Sequence, residues 1–218
     1  MINTPDVFTL VGGLALVGLI PFIAIMATSF IKLAVIFALV RNALGVQQVP
    51  PNMALHGLAI ILTIFIMAPT FHQCYQLASE VDWGNNSEII EGITTTLEPY
   101  RQFLLNKVSD KEVEFFTDTA GMLWPKEQRD VISSESFLIL IPAYTVSELT
   151  SAFEAGFLIY LPFIVIDLIV SNILLAMGMM MVSPMTISLP FKILIFVLLD
   201  GWTLLTHGVV MSYLPNEH

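Results

Sequence analysis

Two acids in apolar surroundings, Asp167 (Val-Ile-Asp-Leu) and Asp200 (Leu-Leu-Asp-Gly-Trp), are the first residues to test for chemistry. A carboxyl pair sharing one proton can activate water. The flanking residues lack the Tyr-Asp and Gly-x-Gly-Asp surroundings of intramembrane aspartyl proteases, so the pair has no sequence support as a catalytic dyad. The four histidines, His56, His72, His207 and His218, form no His-x-x-x-His or Glu-linked set. His72 and Cys74 stand two apart and read as structural. One cysteine allows neither an intramolecular disulfide nor a Cys-rich zinc site. No Gly-x-x-x-x-Gly-Lys-[Ser/Thr] run is present, so ATP-driven energy must come from a partner. We expect no enzymatic activity, no cofactor and no metal.

What the sequence does place unusually is charge within grease. Lys32, Glu148, Glu154, Asp167, Lys192 and Asp200 interrupt long apolar stretches. A Lys or Asp at a bilayer centre costs at least ~2.5–3.5 kcal/mol. Such charges either snorkel near helix ends or pair across helix interfaces. Pro21, Pro69, Pro142, Pro162, Pro184 and Pro190 interrupt the same stretches. Each removes a backbone donor, and the freed carbonyls are tolerated only against protein or water. Charges and prolines together favour helices that face other helices more than lipid, and a protein stable mainly within an assembly.

Residues 177–185 read Met-Gly-Met-Met-Met-Val-Ser-Pro-Met, five of the 11 methionines. Three successive Met cannot share one helix face, since neighbours are ~100° apart. Gly178 and Pro184 weaken a helix on both sides, which favours a loop. Met is flexible and apolar, so a ring of such loops could close a pore yet deform around a passing chain. The plainer alternative is ordinary lipid-facing or core methionine.

The elements that must hold these groups follow from composition. The chain has 218 residues, 56% hydrophobic and 12% charged, with mean hydropathy +0.82. Soluble domains carry about 25% charged residues, so an integral membrane protein is indicated. Nucleic-acid binding is excluded by 8 Lys+Arg against 18 Asp+Glu and no basic patch. Residues 80–135 hold 12 acidic and 5 basic side chains; the other 162 residues hold 6 and 3. The division is thus 1–79 as an N-terminal apolar helical hairpin, 80–135 as an acidic subdomain, and 136–218 as a C-terminal apolar hairpin with the Met-rich loop. Val7–Ile31, the Met53–Ala68 heart of the second run, and Leu168–Phe191 are charge-free membrane-helix candidates. A helix from about Ser136 to Val170 must carry Glu148, Glu154 and Asp167. Glu98–Val108 and Lys111–Thr119 look helical. The opening Met1-Ile-Asn-Thr-Pro-Asp6 has no positive residue, and the first apolar segment is expected to be retained rather than cleaved as a signal. Arg41 makes the 41–52 connector the best cytoplasmic candidate and leaves the acidic block extracytoplasmic.

Two segments carry a family resemblance. The first is Ser29-Phe-Ile-Lys32 through Arg41-Asn-Ala-Leu-Gly45-Val-Gln47-Gln-Val-Pro50-Pro51-Asn52 to Thr63-Ile-Phe-Ile-Met67-Ala-Pro69. The second runs from Pro142-Ala-Tyr-Thr-Val-Ser-Glu148 through Tyr160-Leu-Pro162-Phe-Ile-Val-Ile-Asp167 and Met177-Gly-Met-Met-Met181-Val-Ser-Pro184 to Ile187-Ser-Leu-Pro190-Phe-Lys192 and Asp200-Gly201-Trp202. Together they resemble the FliP/SctR family of type III secretion export apparatus proteins, in its virulence branch with EscR, YscR and SpaP. The resemblance implies an all-α membrane protein of kinked helical hairpins. It implies a ring, a pentamer of this chain, joined by SctS/FliQ-type and SctT/FliR-type proteins and other export-gate and basal-body ring proteins. That gate passes unfolded secreted polypeptides across the bacterial inner membrane, in which the protein is multi-pass and projects to the periplasmic side. The family's methionine gasket maps onto Met179, Met180 and Met181, with Met177 and Met185 beside it. Lys32, Arg41, Glu148, Glu154, Asp167, Lys192 and Asp200 are then expected as interface charges, with intrachain pairing or snorkelling as the alternative. Pro142, Pro162, Pro184 and Pro190 are expected to set bends, or else simply to mark helix ends. Ala152 and Gly156 form a small-xxx-small pair suited to close helix contact. A small-solute transporter or ion channel subunit is the competing class, since broken helices and intramembrane charges suit it too.

Overall fold

The computed structural model describes residues 12, 14, 18, 21, 22, 25–46, 48–81, 89–125 and 133–214. Most of the Val7–Ile31 run lies outside these. Its described end is helical at residues 25–26 and turns at Ala27–Ser29. Eight helices have their bounds inside the described residues: α1 (Phe30–Leu44), α2 (Asn52–Glu80), α3 (Ile89–Thr96), α4 (Glu98–Lys107), α5 (Asp110–Leu123), α6 (Phe137–Ala176), α7 (Pro184–Leu198) and α8 (Gly201–Met211). No strand occurs among the described residues. The protein is all-α.

Helix α1 is the centre of the packing. Its buried residues Leu33, Ile36, Phe37, Val40, Ala43 and Leu44 recur at spacings of three and four, which puts them on one broad face. That face meets α6, α2 and α7. Burying each large side chain there stabilises by about 1.5–3 kcal/mol. Gly156 of α6 approaches α1 so closely that an added Cβ would lie 2.3 Å from Leu39 Cδ1, and Ala152, one turn earlier, is fully buried. The small-xxx-small pair is therefore a contact surface for α1.

Helix α6 runs for 40 residues, with Pro142 and Pro162 inside it. At 1.5 Å per residue it is ~60 Å long, about twice a hydrocarbon core. By length and composition α2 and α6 can each cross a membrane, and α7 with α8, bent by 60°, makes a third crossing if the pair counts as one span. Outward side chains of α2 such as Ile61, Ile64 and Phe65 are more than 60% exposed, which suits a helix facing lipid or other chains.

The charge-free run Leu168–Phe191 is not the single membrane helix expected. It is two helices joined by a turn over residues 177–183. Gly178 takes φ +74, the left-handed conformation that ends helices. The Gly178 amide donates to the Leu175 carbonyl (3.0 Å) and the Met179 amide to the Leu174 carbonyl (2.9 Å). These two bonds form a Schellman cap. Pro184 then opens α7 at its first position, where its missing N–H costs nothing.

The acidic block contributes α3, α4 and α5. Helices α3 and α4 pack on α2, and α4 and α5 pack on α6. An aromatic seam makes the joint: Tyr100 stacks on Phe137 at 5.8 Å, and Phe103 meets Tyr144 at 5.8 Å and Tyr213 at 6.4 Å. The Tyr100 hydroxyl also donates to the Ala27 carbonyl (2.6 Å), and the Thr145 hydroxyl to that of Met26 (3.1 Å). Side chains of α4 and α6 thus satisfy carbonyls left open where the first segment turns into α1.

Candidate functional site

The methionine loop sits at the tip of the α6–α7 hairpin. Met177, Met179, Met180, Met181 and Met185 are all exposed, Met181 completely. No other described residue buries them. Five apolar side chains held outward by a capped turn form a soft, greasy projection, and a second surface must meet it if water is to be excluded.

One turn into α7 a polar pin fixes that loop to the body. Ser188 donates its hydroxyl to Asp167 Oδ1 (2.5 Å). Lys192, four residues on and so on the same face, donates to Asp167 Oδ2 (2.5 Å) and to the Ala43 carbonyl at the end of α1 (3.1 Å). Lys192 is 3% exposed and Asp167 36%. Three helices are thereby joined beside the loop. A buried ammonium with a carboxylate and a carbonyl is satisfied, whereas the same ammonium alone would be costly.

A second buried cluster lies some distance along α6. Lys32 of α1 faces Glu148 at 3.6 Å, with both side chains at least nine-tenths buried. The Tyr213 hydroxyl donates to Glu148 Oε2. Two ammonium groups approach the Tyr213 ring, Lys32 Nζ at 5.1 Å and Lys107 Nζ at 5.6 Å from its centroid. Both are within cation–π range. Lys107 also donates to the carbonyls of Ser212 (3.1 Å) and Leu214 (3.2 Å), just past α8. Burial pulls the Lys107 ammonium below its ordinary range; the Lys32 charge adds to this and Glu148 opposes it.

The remaining sequence-selected residues are more dispersed. Arg41 donates to the Asn52 side chain, closing the connector between α1 and α2. Glu154 is exposed and makes no ion pair among the described residues. Asp200 is also exposed and unpaired among them; it takes φ 49 at the α7–α8 bend, a conformation that Asp tolerates better than most residues. Asp167 is thus engaged by Ser188 and Lys192, not by Asp200. Pro142, Pro162 and Pro190 lie inside helices, and Pro184 is a helix start. The sharp bend falls at Leu199–Asp200, which holds no proline.

Tyr213, Lys107 and Ser188 join these clusters in addition to the residues that charge and spacing point to. Ser188 had a visible signal, its four-residue spacing from Lys192. Tyr213 and Lys107 had none, because their partners lie 65 and 105 positions away.

Two long apolar helices, a bent apolar pair, an outward methionine loop and two buried charge clusters define an all-α integral membrane protein. The chain belongs to the FliP family, whose pattern matches residues 14–209. It is 60% identical over 215 residues to Yop proteins translocation protein R of Yersinia pestis, covering 98% of this chain and 99% of that protein. It is 52% identical over 211 residues to Virulence protein YscR of Salmonella typhimurium (94% and 95% covered). With Surface presentation of antigens protein SpaP of the same organism it shares 43% over 216 residues (94% and 96%).

Proposed function

We propose that this chain is a subunit of the export gate of a type III secretion system, set in the bacterial inner membrane. Copies of it form a ring, joined by SctS/FliQ-type and SctT/FliR-type proteins. The methionine loops converge on the axis, close the conduit against ions and yield to an unfolded polypeptide. The observation that carries this reading is the exposed Met177–Met181 turn, capped by Gly178 and pinned by Ser188, Asp167 and Lys192. Names of close relatives, which speak of translocation and secretion, support it.

The physical logic is straightforward. A closed pore needs apolar, deformable side chains on a backbone that does not itself collapse. Met supplies the first. The Schellman cap and the Asp167–Lys192–Ala43 bridge supply the second. Helix α6, about twice as long as a bilayer core, supports a gate lifted to the periplasmic side rather than lying flush with lipid.

A direct test is cysteine crosslinking in the assembled complex. Met180→Cys is expected to yield disulfide-linked copies under mild oxidation, because the loops meet at the axis. Cysteine at exposed Ile61 of α2 serves as the off-axis control. Absence of crosslinks at 180 in an intact complex contradicts convergence.

A further inference from the structure

A cavity of about 520 Å³ opens between α1, α6, α7 and α8. Its walls are apolar, including Ile36, Leu158, Phe163, Phe196, Leu205 and Val209. Its polar lining is Lys32, Ser151 and Ser212. These three belong to one end. Lys32 faces Glu148, Ser151 lies one turn beyond Glu148 on α6, and the Ser212 carbonyl is bound by Lys107. The opposite end is closed by Phe163 against Phe196 at 6.4 Å, beside the start of α8. Helices α6 and α8 therefore line the groove antiparallel. From Ser151 to Pro162, and from Ser212 back to Gly201, it runs ~16 Å at 1.5 Å per residue.

Among the described residues, charge at the polar end does not balance. Lys32 faces the carboxylate of Glu148, the one described acid here, and the Lys107 ammonium lies 5.6 Å from the Tyr213 ring centroid with no acid of its own among the described residues. Lys32 is more than nine-tenths buried, lines the cavity, and donates no hydrogen bond among the described residues; Glu148 stands at 3.6 Å, beyond good hydrogen-bond length. An ammonium with three donors that meets only a carboxylate at 3.6 Å and a ring face is under-satisfied. The groove is laid along helices apolar enough to lie in hydrocarbon.

We propose that this groove binds an anionic phospholipid, one acyl chain along α6 and α8 and the phosphate hydrogen-bonded by Lys32. The chain fills an apolar slot open to the bilayer. The phosphate supplies the missing acceptor and cancels the surplus positive charge. The site is separate from the methionine loop, so its failure leaves the gate reading untouched.

Gly208 offers a clean test. It lines the groove, and a Cβ added there meets nothing within 4 Å. Gly208→Leu projects into the slot from an unobstructed Cβ and improves helix propensity. The experiment is native mass spectrometry of the full co-expressed complex, loaded with dioleoylphosphatidylglycerol or with dioleoylphosphatidylcholine. Wild type is expected to retain one phosphatidylglycerol per copy in preference to phosphatidylcholine. Gly208→Leu is expected to lose it with the complex intact. Lys107→Gln keeps the Lys32–Glu148 pair and removes the surplus charge; it is expected to cut the preference about fivefold, as for the loss of one lysine near an anionic headgroup. Equal retention by Gly208→Leu and wild type overturns the proposal. So does equal retention of both lipids by wild type, or a cysteine at 208 that crosslinks to a second copy with no lipid bound.

Discussion

The Tyr213 hydroxyl, just past α8, donates to Oε2 of Glu148 in α6, and through that carboxylate this segment is joined to Lys32 of α1. Lys107 grips the carbonyls on either side of Tyr213. Three parts of the chain thus meet at one buried carboxylate, and α4 is tied to them through Lys107. Removing it should be costly: Glu148→Ala leaves Lys32 buried without its counter-charge, and we expect a loss of about 3–5 kcal/mol. The double variant Lys32→Met/Glu148→Leu should recover most of that loss, since a buried pair is often replaceable by apolar groups of similar volume. Thermal unfolding of the detergent-solubilised protein measures both. A double variant no better than the single one would contradict the pairing.

Tyr213→Phe keeps the ring near both ammonium groups and deletes only the hydroxyl. A hydrogen bond to a charged group contributes about 1.5–3 kcal/mol, so the variant should lose that much. Tyr213→Leu should lose more, because it removes the cation–π contacts as well. Equal melting temperatures for the two would show that the ring contributes nothing.

At the pin beside the loop the two partners are unequally buried, and the variants should differ accordingly. Asp167→Ala strands Lys192, which is 3% exposed, and should cost about 3–5 kcal/mol. Lys192→Met leaves Asp167, which is 36% exposed and keeps the Ser188 bond, so its loss should be nearer 1–2 kcal/mol. Chemical or thermal denaturation of the two variants side by side would show the asymmetry; identical losses would deny it.

Gly201 opens α8 against the Phe196 ring. A Cβ there would lie 2.3–2.6 Å from three ring atoms, and the ring cannot flex away as an aliphatic tip can. Gly201→Ala should destabilise by about 1–3 kcal/mol through overpacking. Phe196→Leu in the same chain should restore part of it. If Gly201→Ala unfolds at the wild-type temperature, the 60° bend is looser than its geometry implies.

The polar helices were legible because their apolar residues are periodic. Glu98–Val108 and Lys111–Thr119 correspond to α4 (Glu98–Lys107) and α5 (Asp110–Leu123). The long helix carrying Glu148, Glu154 and Asp167 was legible because the gap of 12 residues between Glu154 and Asp167 is too short to be a membrane span of its own. The break inside Leu168–Phe191 was not given by charge, since a charge-free apolar run reads alike as one span or as two helices with a turn. Only Gly178 and Pro184 mark it, the two residues that favour a loop around the methionines. The pairing of Lys32 with Glu148, and the capture of Tyr213, depend on contacts across 65 or more positions, which no local pattern encodes.

The central claim is that Met179, Met180 and Met181 seal the conduit. The measurement that reaches it most directly is ion flux through the assembled complex in liposomes, with all three replaced by Ala. Each side chain sits on an exposed turn, so assembly should be unaffected. Leakage is expected to rise clearly over wild type in a complex of unchanged size. Leakage equal to wild type, in a complex shown to be intact, would contradict it.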